Sequence, residues 1–284
     1  MRPSQRGVEF SKGHGTQNDF VILPDPDGGL DLSAARVRAL CDRQRGIGAD
    51  GVLRVVRAGE LGDPASAPAD VDPDVWFMDY RNADGSVAEM CGNGVRVFAR
   101  YLVESGLAEP GEIPVGTRAG LRPVRTHPDG GVSVGMGAAE VFGESTTTVG
   151  GTEFTGVAVD LGNPHLACVT GVDLDALDLT AAPPHDQELF PGGVNVEFVR
   201  PLDDGQVRMR VHERGVGETR SCGTGTVAAT VAALRAAGRT TGTRVVHVPG
   251  GTVEVEVTSG GSTLTGPAVL VATGWLDQGW WDGL

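Results

Sequence analysis

The chain repeats one short plan twice, and this repetition limits what it can fold into more than any other feature of the sequence. A strand-like run, Val75 to Tyr80, leads to the polar turn Asn82-Ala83-Asp84-Gly85, and nine residues after Asn82 comes Cys91-Gly92-Asn93-Gly94. A second run, Val207 to Val211, leads to Glu213-Arg214-Gly215-Val216, and nine residues after Glu213 comes Cys222-Gly223-Thr224-Gly225. Each Cys-Gly-x-Gly opens a helical pattern. After Cys91, the residues Val95, Phe98, Ala99 and Leu102 fall at i, i+3, i+4 and i+7 and make one apolar stripe. After Cys222, the segment Thr226 to Ala237 is apolar almost all round, which predicts burial on every side. Gly106 and Gly238 sit where a helix C-cap glycine is expected. Each half of the chain should therefore hold one cysteine at the N-terminus of a central helix.

Strands are expected to dominate the remainder. Period and composition mark Phe20-Leu23, Val52-Val56, Val132-Met136, Val157-Leu161, Leu166-Val169 and Val194-Val199, then Thr243-Val248, Thr252-Val257 and Ala268-Thr273. A shorter helix starts at Ser33 as N-cap, with Val37, Leu40 and Cys41 inward. Arg57 to Asp74, rich in Ala, Asp and Pro, reads as an exposed insertion with little structure. A length of 284 residues suits two domains. The boundary is placed near Gly135 with the last strand returning, giving residues 1–135 plus 268–284 around Cys91 and 136–267 around Cys222.

Composition removes several function classes. No apolar run approaches the roughly 20 residues that a bilayer span needs, and the opening Met1 to Gly7 has no apolar stretch behind its basic residues. A cytoplasmic protein without membrane partners is expected. A net charge of −14 repels phosphate backbones, which disfavours nucleic acid. Four cysteines far apart form no disulfide scaffold and should be thiols. Lys12 is the single lysine among 23 basic residues, in a poor context for the Schiff base of a pyridoxal cofactor. No histidine has metal-ligand spacing, so neither cofactor nor metal is expected.

The two outlying thiols carry the chemistry. Inverting a carbon that bears a proton needs a base on one face and an acid on the other, and two thiols of matched chemistry supply both. A free thiol ionises near pH 8.5, about the value that a helix N-terminus then lowers toward neutrality. The same N–H groups, freed of side-chain bulk by Gly92 and Gly223, form a nest for a carboxylate, which can take up the charge left when the proton departs. Free cysteines are more often small buried hydrophobes. That reading suits Cys41 and Cys168, which lie in apolar patterns, and suits Cys91 and Cys222 poorly because their settings match.

Five motifs also resemble, in order, those of the diaminopimelate epimerase family. They are His14-Gly15-Thr16-Gln17-Asn18-Asp19-Phe20; Asn82 to Ser86 followed by Met90 to Gly94; Gly162-Asn163-Pro164-His165; Gly193-Val194-Asn195-Val196-Glu197; and Glu213 to Thr219 followed by Cys222 to Gly225. The resemblance implies an α+β fold of two pseudo-symmetric domains, each a rolled mixed or antiparallel sheet around a central helix, with the active site in the cleft between them. It implies interconversion of LL- and meso-diaminopimelate, a small amino-acid substrate on the route to lysine and peptidoglycan, with Cys91 and Cys222 as base and acid. By the same carry-over Gly92, Asn93, Gly223 and Thr224 hold the reacting carboxylate, while Glu213 and the Arg214 backbone meet the reacting amine. Asn18, Asn82, Asn163, Asn195 and the Arg214 side chain read the distal end, and His165 and Glu213 support the thiols. Where some members of the family place a substrate-touching glutamine, this chain has Gly51.

Taken singly, the four asparagines are ordinary turn residues, His165 an ordinary core histidine, and Glu213-Arg214 a surface ion pair; their positions in motifs give them roles. A proline or hydroxyproline racemase of the same architecture would also use two thiols, but its substrate lacks a distal amino-acid group for the asparagines and Arg214 to read. A redox protein closing a Cys91–Cys222 disulfide is the rival from another class, and oxidation is expected as an inactive state. A homodimer stands as an open expectation for assembly.

Overall fold

The structure is a computed structural model that describes residues 7–62 and 67–284. The expectation about the opening segment, residues 1–6, and the middle of the Arg57–Asp74 stretch, residues 63–66, lie outside the described residues. The chain divides into two compact units, one ending at Val134 and resuming over Ala268–Leu284, the other Gly135–Pro267.

In chain order come β1 (Glu9–Gly15), β2 (Asn18–Pro24), α1 (Ala34–Cys41), β3 (Gly51–Arg57), β4 (Trp76–Asn82), α2 (Gly92–Glu104), β5 (Glu112–Thr117), β6 (Gly120–Thr126) and β7 (Gly131–Gly137). The second unit continues with β8 (Glu140–Val149), β9 (Thr152–Asp160), β10 (Pro164–Val169), β11 (Asn195–Pro201), β12 (Val207–Glu213), β13 (Gly217–Thr219), α3 (Gly223–Ala236), β14 (Gly242–Val248), β15 (Gly251–Thr258) and β16 (Gly261–Pro267). Then β17 (Val269–Trp275) and α4 (Gln278–Asp282) complete the first unit.

The two sheets are wired alike. In the first unit the order β17-β1-β2-β3-β4-β5-β6-β7 pairs antiparallel, antiparallel, parallel, antiparallel, parallel, antiparallel, antiparallel. In the second, β8-β9-β10-β11-β12-β14-β15-β16 runs through the same senses in the same order. Short β13 folds back on β12, and the bridge between Arg81 and Val87 does the same on β4. Register then fixes the equivalence residue by residue. Phe20 pairs with Gly51 and Gly51 with Asn82; His165 pairs with Asn195, and Val196 opposite His212 sets Asn195 against Glu213. Asn18, Phe20, Gly51, Leu53, Asn82 and Cys91 therefore correspond to Asn163, His165, Asn195, Glu197, Glu213 and Cys222.

Each sheet is wrapped around one helix, with α2 against β1 to β6 and β17, and α3 against β9 to β12 and β14 to β16. Both helices begin and end by the same devices. Cys91 and Cys222 are the N-caps. At the other end Ser105 and Ala237 are followed by Gly106 and Gly238, the terminating glycines that the sequence pattern predicts. Gly106 (φ 72°) donates its N–H to Val103 O and Leu107 to Leu102 O; Gly238 (φ 71°) and Arg239 repeat this on Arg235 O and Leu234 O. These are paired Schellman stops, which need a left-handed residue and so favour glycine. Helix α1 starts at Ser33, whose side chain accepts from the Arg36 N–H, and turns Val37, Leu40 and Cys41 inward.

The apolar stripe of α2, formed by Val95, Phe98, Ala99 and Leu102, is buried, and burial extends to all of Gly92 to Ala99, Arg96 among them, because the sheet packs round the helix. One sequence expectation needs correcting: the Arg57–Asp74 stretch is not simply exposed, since Leu61 and Val71 pack with Val56, Ala58 and Phe77 in a small core. α3 is buried on every face from Gly225 to Leu234. Among the described residues no helix is long and apolar enough to cross a membrane.

Candidate active site

Both cysteines occupy the place a serine or aspartate usually takes at a helix start. The Gly94 N–H donates to Cys91 Sγ at 3.4 Å, and the Gly225 N–H donates to Cys222 Sγ at 3.4 Å. A sulfur in that position meets the positive end of the helix and the unpaired N–H groups of its first turn. Gly92 and Gly223 are the first helical residues after the caps.

In the first unit the side chains around Cys91 are amides. The thiol donates to Asn18 Oδ1 at 3.6 Å, and Asn93 Nδ2 donates to the same oxygen at 3.2 Å. The other end of the Asn18 amide is fixed, because Nδ2 donates to Asp50 Oδ2 at 2.8 Å. Asp50 and Asp19 in turn hold Arg43, and Asp19 also pairs with Lys12, whose ammonium reaches the Gly48 carbonyl. Burial alone would raise Asp19, but hydrogen bonds from Arg43 and Lys12 outweigh it and hold the carboxyl at about 2. Asn82 closes its own turn, with Nδ2 donating to Ser86 Oγ at 3.0 Å. Thr16 and Gln17 form the two-residue β1–β2 turn with φ of 50° and 64°, a conformation that a β-branched threonine adopts only under constraint. The constraint is visible: Thr16 is buried and its Oγ1 accepts from Arg96 Nη2 at 3.1 Å.

In the second unit the corresponding places carry ionisable groups. His165 and Glu197 are both fully buried, and Nδ1 lies 2.6 Å from Oε1. His165 Nε2 lies 3.2 Å from Asn163 Oδ1. Asn163 Nδ2 donates to Thr224 Oγ1 at 3.4 Å, and that hydroxyl lies 3.5 Å from Cys222 Sγ. Burial pushes Glu197 up to about 7, against the pull of His165 and with help from the charge of Glu213. Cys222 is itself pushed well above the ordinary thiol value, first by burial and then by the charges of Glu213 and Glu197. Asn195 is buried with its amide engaged at both ends, Nδ2 on Pro164 O and Oδ1 accepting the Arg214 N–H, each at 3.0 Å. Glu213 accepts from Thr219, and Arg214 lies on the surface with Nη1 on Gly192 O.

Glycine in the Gly-x-Gly motif has a local reason. A Cβ on Gly225 would stand 2.8 Å from Glu197 Oε1 and 3.3 Å from Cys222 Sγ, whereas one on Gly94 would meet Leu53 Cδ2 at 3.3 Å and Phe20 Cζ at 3.5 Å. Under the helix start, Leu53 and Phe20 thus stand where the second unit has Glu197 and His165. Sequence reading passed over Glu197, Arg96, Thr16 and Asp50. For Glu197 and Arg96 the signal was a charged residue inside an otherwise apolar run, which a fold tolerates only with a partner. The two remaining cysteines, Cys41 and Cys168, are buried in the cores of the first and second units, and burial pushes each thiol up to about 12. All four cysteines are free.

Comparison with known proteins follows the same lines. Two solved structures share the architecture at low identity. A phenazine biosynthesis protein of the PhzF family from Bacillus anthracis matches with a TM-score of 0.66 and 16% identity over 96% of this chain and 100% of its own. A hydroxyproline epimerase from Agrobacterium vitis with bound trans-4-hydroxy-L-proline matches with a TM-score of 0.66 and 16% identity over 96% and 91%. These likenesses establish the two-domain α+β fold. The diaminopimelate epimerase of Rhodococcus jostii is 59% identical over 98% of this chain and 100% of its own length. That of Mycobacterium tuberculosis is 59% identical over 97% and 99%. A sequence model of the family matches residues 10–142 and 157–271, and with both half-sites inside that match the chain belongs to the diaminopimelate epimerase family.

Proposed function

We infer that this chain is an isomerase that interconverts LL- and meso-2,6-diaminopimelate by moving one proton between two sulfurs and the α-carbon. The observation that carries the reading is the equivalence of Cys91 and Cys222: each is the N-cap of the helix at the centre of its unit, reached by the same strand and turn. One thiolate removes the α-proton and the other thiol returns one to the opposite face, so the proton count is unchanged and the two exchange roles in the reverse direction. The charge left on carbon flows into the substrate carboxylate. Donors that hold it there, the helix-start N–H groups with Asn93 and Thr224, stabilise the transition state more than the ground state. The chemistry needs no cofactor and no metal.

The remaining assignments belong to the same proposal. Residues 1–135 with 268–284 act as the Cys91 domain and residues 136–267 as the Cys222 domain. Gly92, Asn93, Gly223 and Thr224 bind the reacting carboxylate, Glu213 and the Arg214 backbone the reacting amine, and Asn18, Asn82, Asn163, Asn195 and Arg214 the distal amino-acid group. His165 and Glu213 support the thiols. A distal group with both charges is read by amides that donate and accept. The protein works in the cytoplasm, and a homodimer is its proposed assembly, which sedimentation equilibrium reads directly. Incubation of the reduced protein with LL-diaminopimelate and, separately, with L-proline decides the substrate. Chiral chromatography should show conversion to the meso isomer and untouched proline; racemised proline with unchanged diaminopimelate would overturn the assignment.

A further inference from the structure

We propose that the two cysteines are unlike in the resting protein: Arg96, a buried guanidinium five residues along Cys91's own helix, holds Cys91 as the thiolate, while Cys222 among acidic groups stays the thiol. The inference rests on the proton-transfer reading above and names which sulfur is the base before substrate arrives. Arg96 is fully buried, and among the described residues it forms no ion pair with a carboxylate. Its Nη2 donates to Thr16 Oγ1 at 3.1 Å and to Asn93 Oδ1 at 2.9 Å, both neutral acceptors, and its Nε and Nη1 find no hydrogen-bond partner. A buried cation that is neither paired nor fully hydrogen-bonded is costly, and an anion nearby relieves that cost. Burial brings the guanidinium down to about 10, and the group whose charge acts against this is Cys91. The cation persists at neutral pH.

The other charges around α2 are matched among themselves. Lys12 of β1 and Asp19 of β2 belong with Arg43 and Asp50 to a quartet of two cations and two anions. Arg54 of β3 and Asp79 and Arg81 of β4 are tied into a network with Asp25 and Arg118. Glu112 of β5 pairs with Arg125 of β6, and Arg122 of β6 donates to Ala119 O. Glu9 on β1 is exposed, His14 accepts from the Gln17 N–H, and β17 carries no titratable residue. Asn18 Oδ1 pulls toward the thiol form by accepting its S–H, but a neutral acceptor competes with a full charge.

At the position of Arg96, α3 carries Val227, buried and neutral. The charges acting on Cys222 are those of Glu213 and Glu197. Around them His165 is bound to Glu197, Arg208 and Arg210 of β12 face Asp175 and Glu218, and His247 of β14 bonds Thr252 and Gln206. On β12 the buried His212 stands beside Glu213; on β11 Arg200 reaches Asp173; and Glu254 and Glu256 of β15 are on its exposed face. The halves thus invert one another: a cation on the helix in the first, a carboxylate on the sheet in the second.

The test uses the reduced full chain without substrate, so its outcome is independent of whether diaminopimelate is turned over. Iodoacetamide labelling from about pH 5 to about pH 10, resolved by peptide mass spectrometry, gives an ionisation midpoint for Cys91 in the Cys222→Ser protein and for Cys222 in the Cys91→Ser protein. The midpoint for Cys91 should lie at least about one unit lower, a tenfold difference in thiolate. Arg96→Gln should raise the Cys91 midpoint by about one unit and leave Cys222 alone, and Arg96→Lys should restore most of the shift. A Cys222 midpoint at or below that of Cys91 overturns the proposal with Arg96 intact, whatever the folding of the variants. So does an Arg96→Gln protein that melts like its parent with the Cys91 midpoint unmoved. Labelling that fits the proposal in a protein inactive on diaminopimelate would sink the function and leave this inference standing.

Discussion

The Cys91 half and the Cys222 half share a frame and differ in what fills it. Strand senses, register, capping sulfur and Schellman stop are the same in both. Beneath the helix start the first half has Phe20 and Leu53, and the second has His165 and Glu197. In the helix the first has Arg96 and the second Val227. Backbone geometry sets where a proton can be taken or given, and the side chains around it set how readily each sulfur holds that proton. A reversible two-sulfur reaction needs both, since two identical thiols would start out equally protonated.

The widest separation between shared frame and separate chemistry comes from removing the sulfurs. Cys91→Ser and Cys222→Ser should each lower turnover by about 10²- to 10⁴-fold yet melt close to the parent, because serine is a preferred N-cap and keeps the helix start to within about 1 kcal/mol. Steady-state kinetics beside thermal melts check both. A serine variant that unfolds would mean that sulfur is a packing group.

A second test addresses the ionisable pair that only the Cys222 half carries. The fold favours the protonated Glu197, raised from 4.5 to about 7. Its contribution to stability is therefore full below the unfolded value and is lost as pH rises through about 7, an effect of order 3 kcal/mol. Glu197→Gln should flatten the part of the melting-temperature profile that falls between about pH 5 and about pH 7.5. Parallel profiles for parent and variant would show that Glu197 does not titrate in that window.

Steric room separates the halves next. Gly225→Ala drives a Cβ to 2.8 Å from Glu197 Oε1, while on Gly94→Ala the nearest atom is in the flexible Leu53 side chain at 3.3 Å, with Cys91 Cβ and Phe20 Cζ in ordinary contact at 3.5 Å. The first should cost about 1–3 kcal/mol and the second close to nothing; equal denaturant midpoints would contradict the difference. The smallest expected effect probes likeness instead. Gly106→Ala and Gly238→Ala both place a side chain at a left-handed residue with open space around it, so each should cost about 1 kcal/mol and the two should agree.

How much of this was written in the sequence depends on range. The capping cysteines, both central helices and the expected strands were legible because local periodicity and caps specify them. β5 was missed because Pro114 and Gly116 interrupt it, and β8 because most of its length is exposed and Thr-rich, with no apolar alternation to read. Glu197 was passed over because β11 is buried on both faces from Asn195 to Val199, so alternation carries no information there. Arg96 lies off the apolar stripe of α2, and its burial is imposed by Thr16, far away in the chain, and by a sheet that packs round the helix. The amide roles of Asn18 and Asn163 came from motif resemblance, and their contacts with the Cys91 thiol and with Thr224 came from the structure.

The central claim is that Cys91 and Cys222 together move the α-proton. Following LL-diaminopimelate in heavy water by proton NMR tests it most directly, with the parent, Cys91→Ser and Cys222→Ser side by side under reductant. The account predicts that the parent forms the meso isomer with loss of its α-hydrogen signal to deuterium and that neither variant epimerises at a comparable rate. Epimerisation near the parental rate in both serine variants would contradict it.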